Sequence, residues 1–109
     1  MEKNKETIFN KLVRDNMLEI ISNNNQEYLY HIATEEEYKE KLLEKLQEEV
    51  KEFILEKNEE ELGDILEVLE QIILTFNFNK ETVFNNKKLK SEKRGMFKRK
   101  IILEIVYDK

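Results

Sequence analysis

Two consecutive amphipathic helices are predicted by residues 34–76, TEEEYKEKLLEKLQEEVKEFILEKNEEELGDILEVLEQIILTF. Thr34 and Glu37 have the spacing of a capping box, and Asn58 is a typical N-cap for the second helix. Two apolar stripes recur at helical spacing, the first formed by Tyr38, Leu42, Leu46, Val50, Phe53 and Ile54 and the second by Leu62, Ile65, Leu66, Leu69, Ile72, Ile73 and Phe76. The break between the stripes is short, so we expect an antiparallel helical hairpin.

The rest of the chain predicts shorter elements around this hairpin. Before it, an apolar pattern from Leu12 to Ile21 predicts a short helix, and Tyr28–Ile32 predicts a short strand. After it, residues 80–93 predict a third long helix, and Ile101–Tyr107 predicts a terminal strand that could pair with the first. We therefore expect a mainly α fold with one or two short peripheral strands.

Composition limits the architecture and the chemistry. The chain has 109 residues and a mass of 13.3 kDa, which predicts one domain over residues 1–109, with residues 1–9 as a flexible start. It has no long apolar run, so we expect a cytoplasmic protein without membrane contact. The absence of cysteine excludes disulfides and thiolate metal sites. The net charge of -5 is unevenly distributed, because acidic residues dominate 35–70 whereas lysine and arginine crowd 87–100.

Two pairs of carboxylates lie three residues apart within the predicted hairpin. Glu49 and Glu52 form the first pair, and Glu61 and Asp64 form the second. Residues three apart are neighbours on a helix, and each pair lies on a flank of its apolar stripe. If the helices pack antiparallel, four carboxylates converge, and their mutual repulsion is relieved by a multivalent cation. Oxygen ligands favour a hard ion, and we expect Mg²⁺.

Three of these four carboxylates also have a simpler interpretation. Glu61 follows Asn58 by three residues and could complete a capping box there. Glu49 and Glu52 could form surface pairs with nearby lysines such as Lys45. Spacing alone leaves these alternatives open.

At these residues the chain resembles the all-α NTP pyrophosphatase superfamily, the MazG-like proteins, whose signature is EExxE followed by ExxD. Residues 48–52 and 61–64 match both parts. Residues 10–15, NKLVRD, resemble the start of a short house-cleaning subgroup, and residues 41–46 and 90–97 resemble its later segments. The chain departs from the subgroup at residues 16–18, where Lys-Ile-Pro is usual, and at Met96, where a second glycine is usual.

The resemblance implies hydrolysis of a nucleoside triphosphate between the α and β phosphates, giving a nucleoside monophosphate and pyrophosphate. It implies that Mg²⁺, with Mn²⁺ as a substitute, is held by Glu49, Glu52, Glu61 and Asp64, and that Glu49 or Glu52 acts as general base for water. The candidate triphosphate contacts are Lys11, Arg14, Lys90, Lys93 and Arg94. A homodimer or homotetramer is the expected assembly.

Two other functions remain open. The departures at Asn16 and Met96 suggest a module that sequesters nucleotides on the same fold without turnover. The basic run from Lys87 to Lys100 suggests a nucleic-acid-binding helical module, whose binding would depend strongly on salt. The second alternative leaves the acidic pairs unexplained, so we do not favour a nucleic-acid partner.

Overall fold

A computed structural model describes residues 5–109 of the chain. This part of the chain is helical, without strands, which confirms the mainly α prediction. Its helices are α1 (Met17–Asn23), α2 (Glu35–Glu56), α3 (Glu59–Thr75) and α4 (Lys80–Arg94). α1 begins later than expected, since Leu12 and Val13 lie in the irregular segment before it.

Side-chain caps fix where the three longer helices begin. Thr34 Oγ1 accepts a hydrogen bond from the Glu37 backbone N–H at 3.2 Å, and Asn58 Oδ1 accepts one from the Glu61 N–H at 2.9 Å. Both predicted N-caps are therefore confirmed. Asn79 caps α4 in the same way through the Thr82 N–H. Each cap satisfies a backbone donor that the first turn of a helix leaves unpaired.

The α2–α3 pair carries the packed part of the fold. The helices are joined by two residues, and Lys57 makes the turn in the left-handed region with φ 51°. α2 and α3 pack against each other, and Leu42 and Val68 are the apolar side chains that the described residues bury. Glu49 is buried as well, seven residues after Leu42 and thus on the same face of α2.

The chain divides into two compact units, the first ending at Asn77 and the second comprising Phe78–Lys109. The first contains α1 to α3, and the second contains α4 and the residues that follow it. A single domain over residues 1–109 stays a prediction. The predicted flexible start, residues 1–9, falls partly on residues 1–4, which lie outside the described part of the chain.

The predicted strands at Tyr28–Ile32 and Ile101–Tyr107 are wrong, because neither segment is a strand in the described residues. The physical reason is a missing partner: a strand requires a ladder of backbone hydrogen bonds, and none is made by residues 27–33 or 101–109 of the described chain. β-Branched composition favours an extended backbone but does not supply the neighbouring strand. Within residues 5–109, no helix is long and apolar enough to cross a membrane.

Candidate metal centre

Three carboxylates meet where α2 packs against α3. Glu49 on α2 and Glu61 and Asp64 on α3 each offer one oxygen, and these oxygens lie within 4.8 Å of one another. Glu61 and Asp64 share one face of α3 because they are three residues apart. We call these three residues the acidic cluster, and their arrangement could hold a metal ion.

Glu49 and Glu61 each contain a carboxylate oxygen with unsatisfied hydrogen-bonding capacity. The Glu49 side chain is only 8 % exposed, and its Oε1 lies 3.4 Å from the Lys45 Nζ. Its Oε2 is buried without a hydrogen-bond partner among the described residues, and the same holds for Glu61 Oε2. Leaving the buried Glu49 acceptor unsatisfied costs about 1–3 kcal/mol. Two such oxygens in one cluster indicate a place for a cation.

The protonation behaviour of the cluster agrees with this geometry. Burial raises the pKa of Glu49 above its ordinary value, and repulsion from Glu52 and Asp64 adds to the rise against the opposing charge of Lys45. Burial also raises the pKa of Glu61, with further contributions from Glu52, Asp64 and Glu49. The negative charges therefore disfavour one another in the absence of a cation.

Glu52 lies beside the acidic cluster without belonging to the group of three close oxygens. It is half-buried, and its negative charge adds to the effect of burial in raising the pKa of Glu61. The structure thus brings Glu52 to the same place as the other three predicted ligands. The tighter grouping consists of Glu49, Glu61 and Asp64.

The simpler interpretations of these carboxylates are partly realised. Asn58 caps α3 through the Glu61 backbone N–H, but the Glu61 carboxylate Oε2 stays unpartnered. Lys45 pairs with Glu49 and also with Glu48, at 3.4 Å in each case. Capping and surface pairing therefore coexist with the acidic cluster and leave buried oxygens available.

An irregular segment before α1 lies along the same side of the α2–α3 pair. We call residues 10–16 the N-terminal strap. Arg14 Nη2 contacts Asp64 Oδ1 at 2.8 Å, Lys11 Nζ contacts Glu48 Oε1 at 2.7 Å, and Lys41 Nζ donates to the Asn10 carbonyl at 3.1 Å. Two of the predicted phosphate contacts, Lys11 and Arg14, are therefore close to the acidic residues.

Glu48 differs from its neighbour Glu49 in its surroundings. Burial acts to raise its pKa, but the hydrogen bond from Lys11 and the charge of Lys45 outweigh it and lower the pKa below the ordinary value. The contact with Glu48 in turn raises the pKa of Lys11. The charge of Glu48 is thus balanced by Lys11 and Lys45, and Glu48 lies outside the acidic cluster. Its pairing with Lys11 across 37 residues was not apparent from the sequence.

The remaining predicted phosphate contacts belong to the second unit. Lys90, Lys93 and Arg94 lie in the last turns of α4 with exposed side chains. Gly95 ends the helix with φ 85°, a backbone conformation that glycine adopts without strain, and Phe97 beyond it is 98 % exposed. Residues 78–109 contain ten lysines and arginines against four acidic residues, so this unit is strongly basic.

The donor set of the acidic cluster fits a hard divalent cation. It consists of carboxylate oxygens, the ligands that suit Mg²⁺, Mn²⁺ and Ca²⁺. Two of its buried oxygens lack partners, and their carboxyl groups have pKa values raised by burial and mutual repulsion. A bound cation would give these oxygens a partner and would offset the repulsion between the carboxylates.

No protein-family model, curated protein or solved structure matches this chain. Function is therefore inferred from the geometry of the acidic cluster and from the motifs in the sequence.

The raised pKa of Glu49 predicts how pH affects the metal-free protein. A carboxyl group whose pKa is higher in the folded state stabilises the fold fully below its unfolded pKa, about 4.3, and loses that contribution as pH rises through the folded value. Glutamine does not titrate, so the Glu49→Gln variant does not lose this stabilisation as pH rises. We expect the stability of the variant relative to wild type to increase with pH above about 4.3, measured by urea unfolding in chelator.

Taking the difference between the two proteins cancels groups with the opposite behaviour, such as Glu48, whose lowered pKa makes it lose stabilisation on acidification. A difference that stays constant between pH 4 and 8 would contradict the prediction.

Proposed function

We propose that this chain is a Mg²⁺-dependent nucleoside triphosphate pyrophosphohydrolase that converts a (d)NTP to a (d)NMP and pyrophosphate. The observation that carries the proposal is the pair of buried, unpartnered oxygens of Glu49 and Glu61 beside Asp64. These residues also carry the EExxE and ExxD pattern that resembles the MazG-like proteins. We propose that the α2–α3 pair is the helical hairpin of that family.

The carboxylates are proposed to have two roles, holding the cation and accepting a proton from water. Glu49, Glu61 and Asp64 hold the cation, and Glu52 completes the set from the adjoining turn of α2. When bound, Mg²⁺ neutralises phosphate oxygens and makes a nearby water more acidic. Glu49 or Glu52 accepts the proton of the attacking water, whose oxygen bonds to phosphorus. The bridging P–O bond between the α and β phosphates then breaks and pyrophosphate leaves.

Basic side chains supply the charge that a triphosphate requires. Arg14 lies 2.8 Å from Asp64 of the acidic cluster, within reach of a phosphate held there. Lys11 lies 2.7 Å from Glu48, the residue that precedes Glu49 on α2. Guanidinium and ammonium groups stabilise charge on transferred phosphoryl oxygens. The sequence resemblance implies Lys90, Lys93 and Arg94 as further phosphate contacts, and these stay a prediction.

The decisive experiment is an incubation of the purified full chain with Mg²⁺ and a panel of ribo-, deoxyribo- and modified nucleoside triphosphates. Monophosphate and pyrophosphate are quantified for wild type, Glu49→Gln and Glu48→Gln. The proposal is supported if wild type and Glu48→Gln release pyrophosphate and Glu49→Gln does not. Saturable nucleotide binding without release would favour a sequestering module instead, and release of inorganic phosphate alone would contradict cleavage between the α and β phosphates.

We further propose that the protein is a homodimer or homotetramer. Among the described residues only Leu42 and Val68 are buried apolar side chains, which is a small core for a domain of this size. The α2–α3 pair exposes many large apolar side chains, namely Leu43, Val50, Ile54, Leu55, Leu62, Leu66, Leu69 and Leu74. Another copy of the chain would cover part of this surface.

Light scattering of the full chain is expected to give a mass of two or four times 13.3 kDa. A mass equal to that of one chain, at micromolar concentration and moderate salt, would contradict the oligomer.

A further inference from the structure

Arg14 pairs with the acidic cluster on the side of α3. Its guanidinium Nη2 lies 2.8 Å from Asp64 Oδ1, a contact that spans 50 residues of sequence. The Arg14 side chain is 61 % exposed and that of Asp64 is 31 % exposed. The pair is therefore accessible to solvent and can open without displacing the packed helices.

The cluster contains more negative charge than its cationic neighbours compensate. Arg14 engages Asp64 and Lys45 engages Glu49, yet an oxygen of Glu49 and an oxygen of Glu61 stay unpartnered. Glu49 is more than nine-tenths buried, so its free oxygen lies inside the site rather than in solvent. A divalent ion that binds there adds positive charge next to the Arg14 guanidinium. Two like charges a few ångströms apart repel each other.

We propose that Arg14 is the counter-ion of the metal-free site, that a divalent cation displaces it from Asp64, and that the displaced guanidinium then becomes available to bind a phosphate oxyanion. The inference depends on the proposed metal site but not on the proposed hydrolysis. It distinguishes the contacts of the N-terminal strap: Arg14 responds to the metal, whereas the Lys41 contact with the Asn10 carbonyl and the Lys11 contact with Glu48 lie outside the cluster.

Competition predicts the direction of a change in affinity. Arg14→Gln removes the competing charge and should tighten binding of Mg²⁺ alone about two- to fivefold, the range that a largely exposed ion pair provides. Arg14→Lys keeps the charge and should bind close to wild type. Lys41→Gln loosens the strap away from the cluster and should leave the affinity unchanged. Isothermal titration calorimetry of the full chain measures all four proteins.

Hydrogen exchange tests the displacement itself. In the wild type the Met17 N–H donates to the Arg14 carbonyl at 3.0 Å, next to the strap. Saturating Mg²⁺ should accelerate amide exchange in peptides that cover residues 10–17, and the same addition to Glu49→Gln should not.

Each other result overturns the inference. Unchanged or weaker Mg²⁺ binding by Arg14→Gln would show that Arg14 is a bystander or supports Asp64 as a ligand. If Arg14→Lys tightens Mg²⁺ binding as much as Arg14→Gln does, the charge of Arg14 is not what weakens binding in the wild type. If Mg²⁺ leaves amide exchange over residues 10–17 unaltered, Arg14 is not displaced. If wild type binds no Mg²⁺, the metal site fails together with this inference, whereas tight wild-type binding with unchanged Arg14→Gln affinity overturns this inference alone.

Discussion

Glu49→Gln should weaken Mg²⁺ binding by at least about tenfold, or about 1.4 kcal/mol, and should abolish metal-dependent release of pyrophosphate. The substitution keeps the size of the side chain but removes the negative charge of the most buried member of the cluster. Affinity for hard cations depends on the number of charged oxygen ligands, so the loss of one carboxylate is expected to be large. Calorimetric titration of metal-free protein with Mg²⁺ measures the effect.

Glu48→Gln is the matched control for this prediction. It makes the same chemical change at the adjacent residue of the same helix, but Glu48 is paired with Lys11 and Lys45 and lies outside the acidic cluster. We expect it to retain Mg²⁺ affinity within about threefold, since ion pairs with partly exposed lysines contribute little. Equal losses in both variants would mean that the helix as a whole, rather than the cluster, attracts the cation.

The part of the site that lies on α2 and α3 was predictable because helical periodicity is a local property. The 3.6-residue repeat assigns Glu49 to a flank of the apolar stripe, and the structure buries it. The caps at Thr34 and Asn58 depend on hydrogen bonds between residues three apart, so short-range sequence patterns identify them. A two-residue connection then leaves few ways for α2 and α3 to pack.

Contacts between residues that are distant in the sequence were not predictable in the same way. The pairs Lys11–Glu48 and Arg14–Asp64 join residues 37 and 50 positions apart, and no periodic pattern specifies which lysine meets which glutamate. The sequence did identify Lys11 and Arg14 as functional candidates, but as phosphate contacts rather than as partners of the acidic residues. The predicted strands were wrong for a related reason, since a strand depends on a distant partner that composition does not name.

Leu42→Ala should destabilise the fold by about 2–5 kcal/mol, the range for deleting a fully buried leucine side chain. Leu42 is only 2 % exposed and is one of the two buried apolar side chains among the described residues. Since domains of this size are stable by about 5–15 kcal/mol, the loss removes a large fraction of the total. Urea unfolding followed by circular dichroism measures it.

The neighbouring residue provides a control that also reports on assembly. Leu43 is 45 % exposed, so within a single chain Leu43→Ala should cost less than about 1 kcal/mol. If another copy covers this face of α2, the cost of Leu43→Ala should increase with protein concentration, because unfolding is then coupled to dissociation.

Leu42→Ala should also weaken Mg²⁺ binding, since Leu42 and Glu49 lie two turns apart on one face and the packing of α2 on α3 brings Glu49 to Glu61 and Asp64. A Leu42→Ala protein with wild-type stability would show that the helices are held together by contacts other than this core.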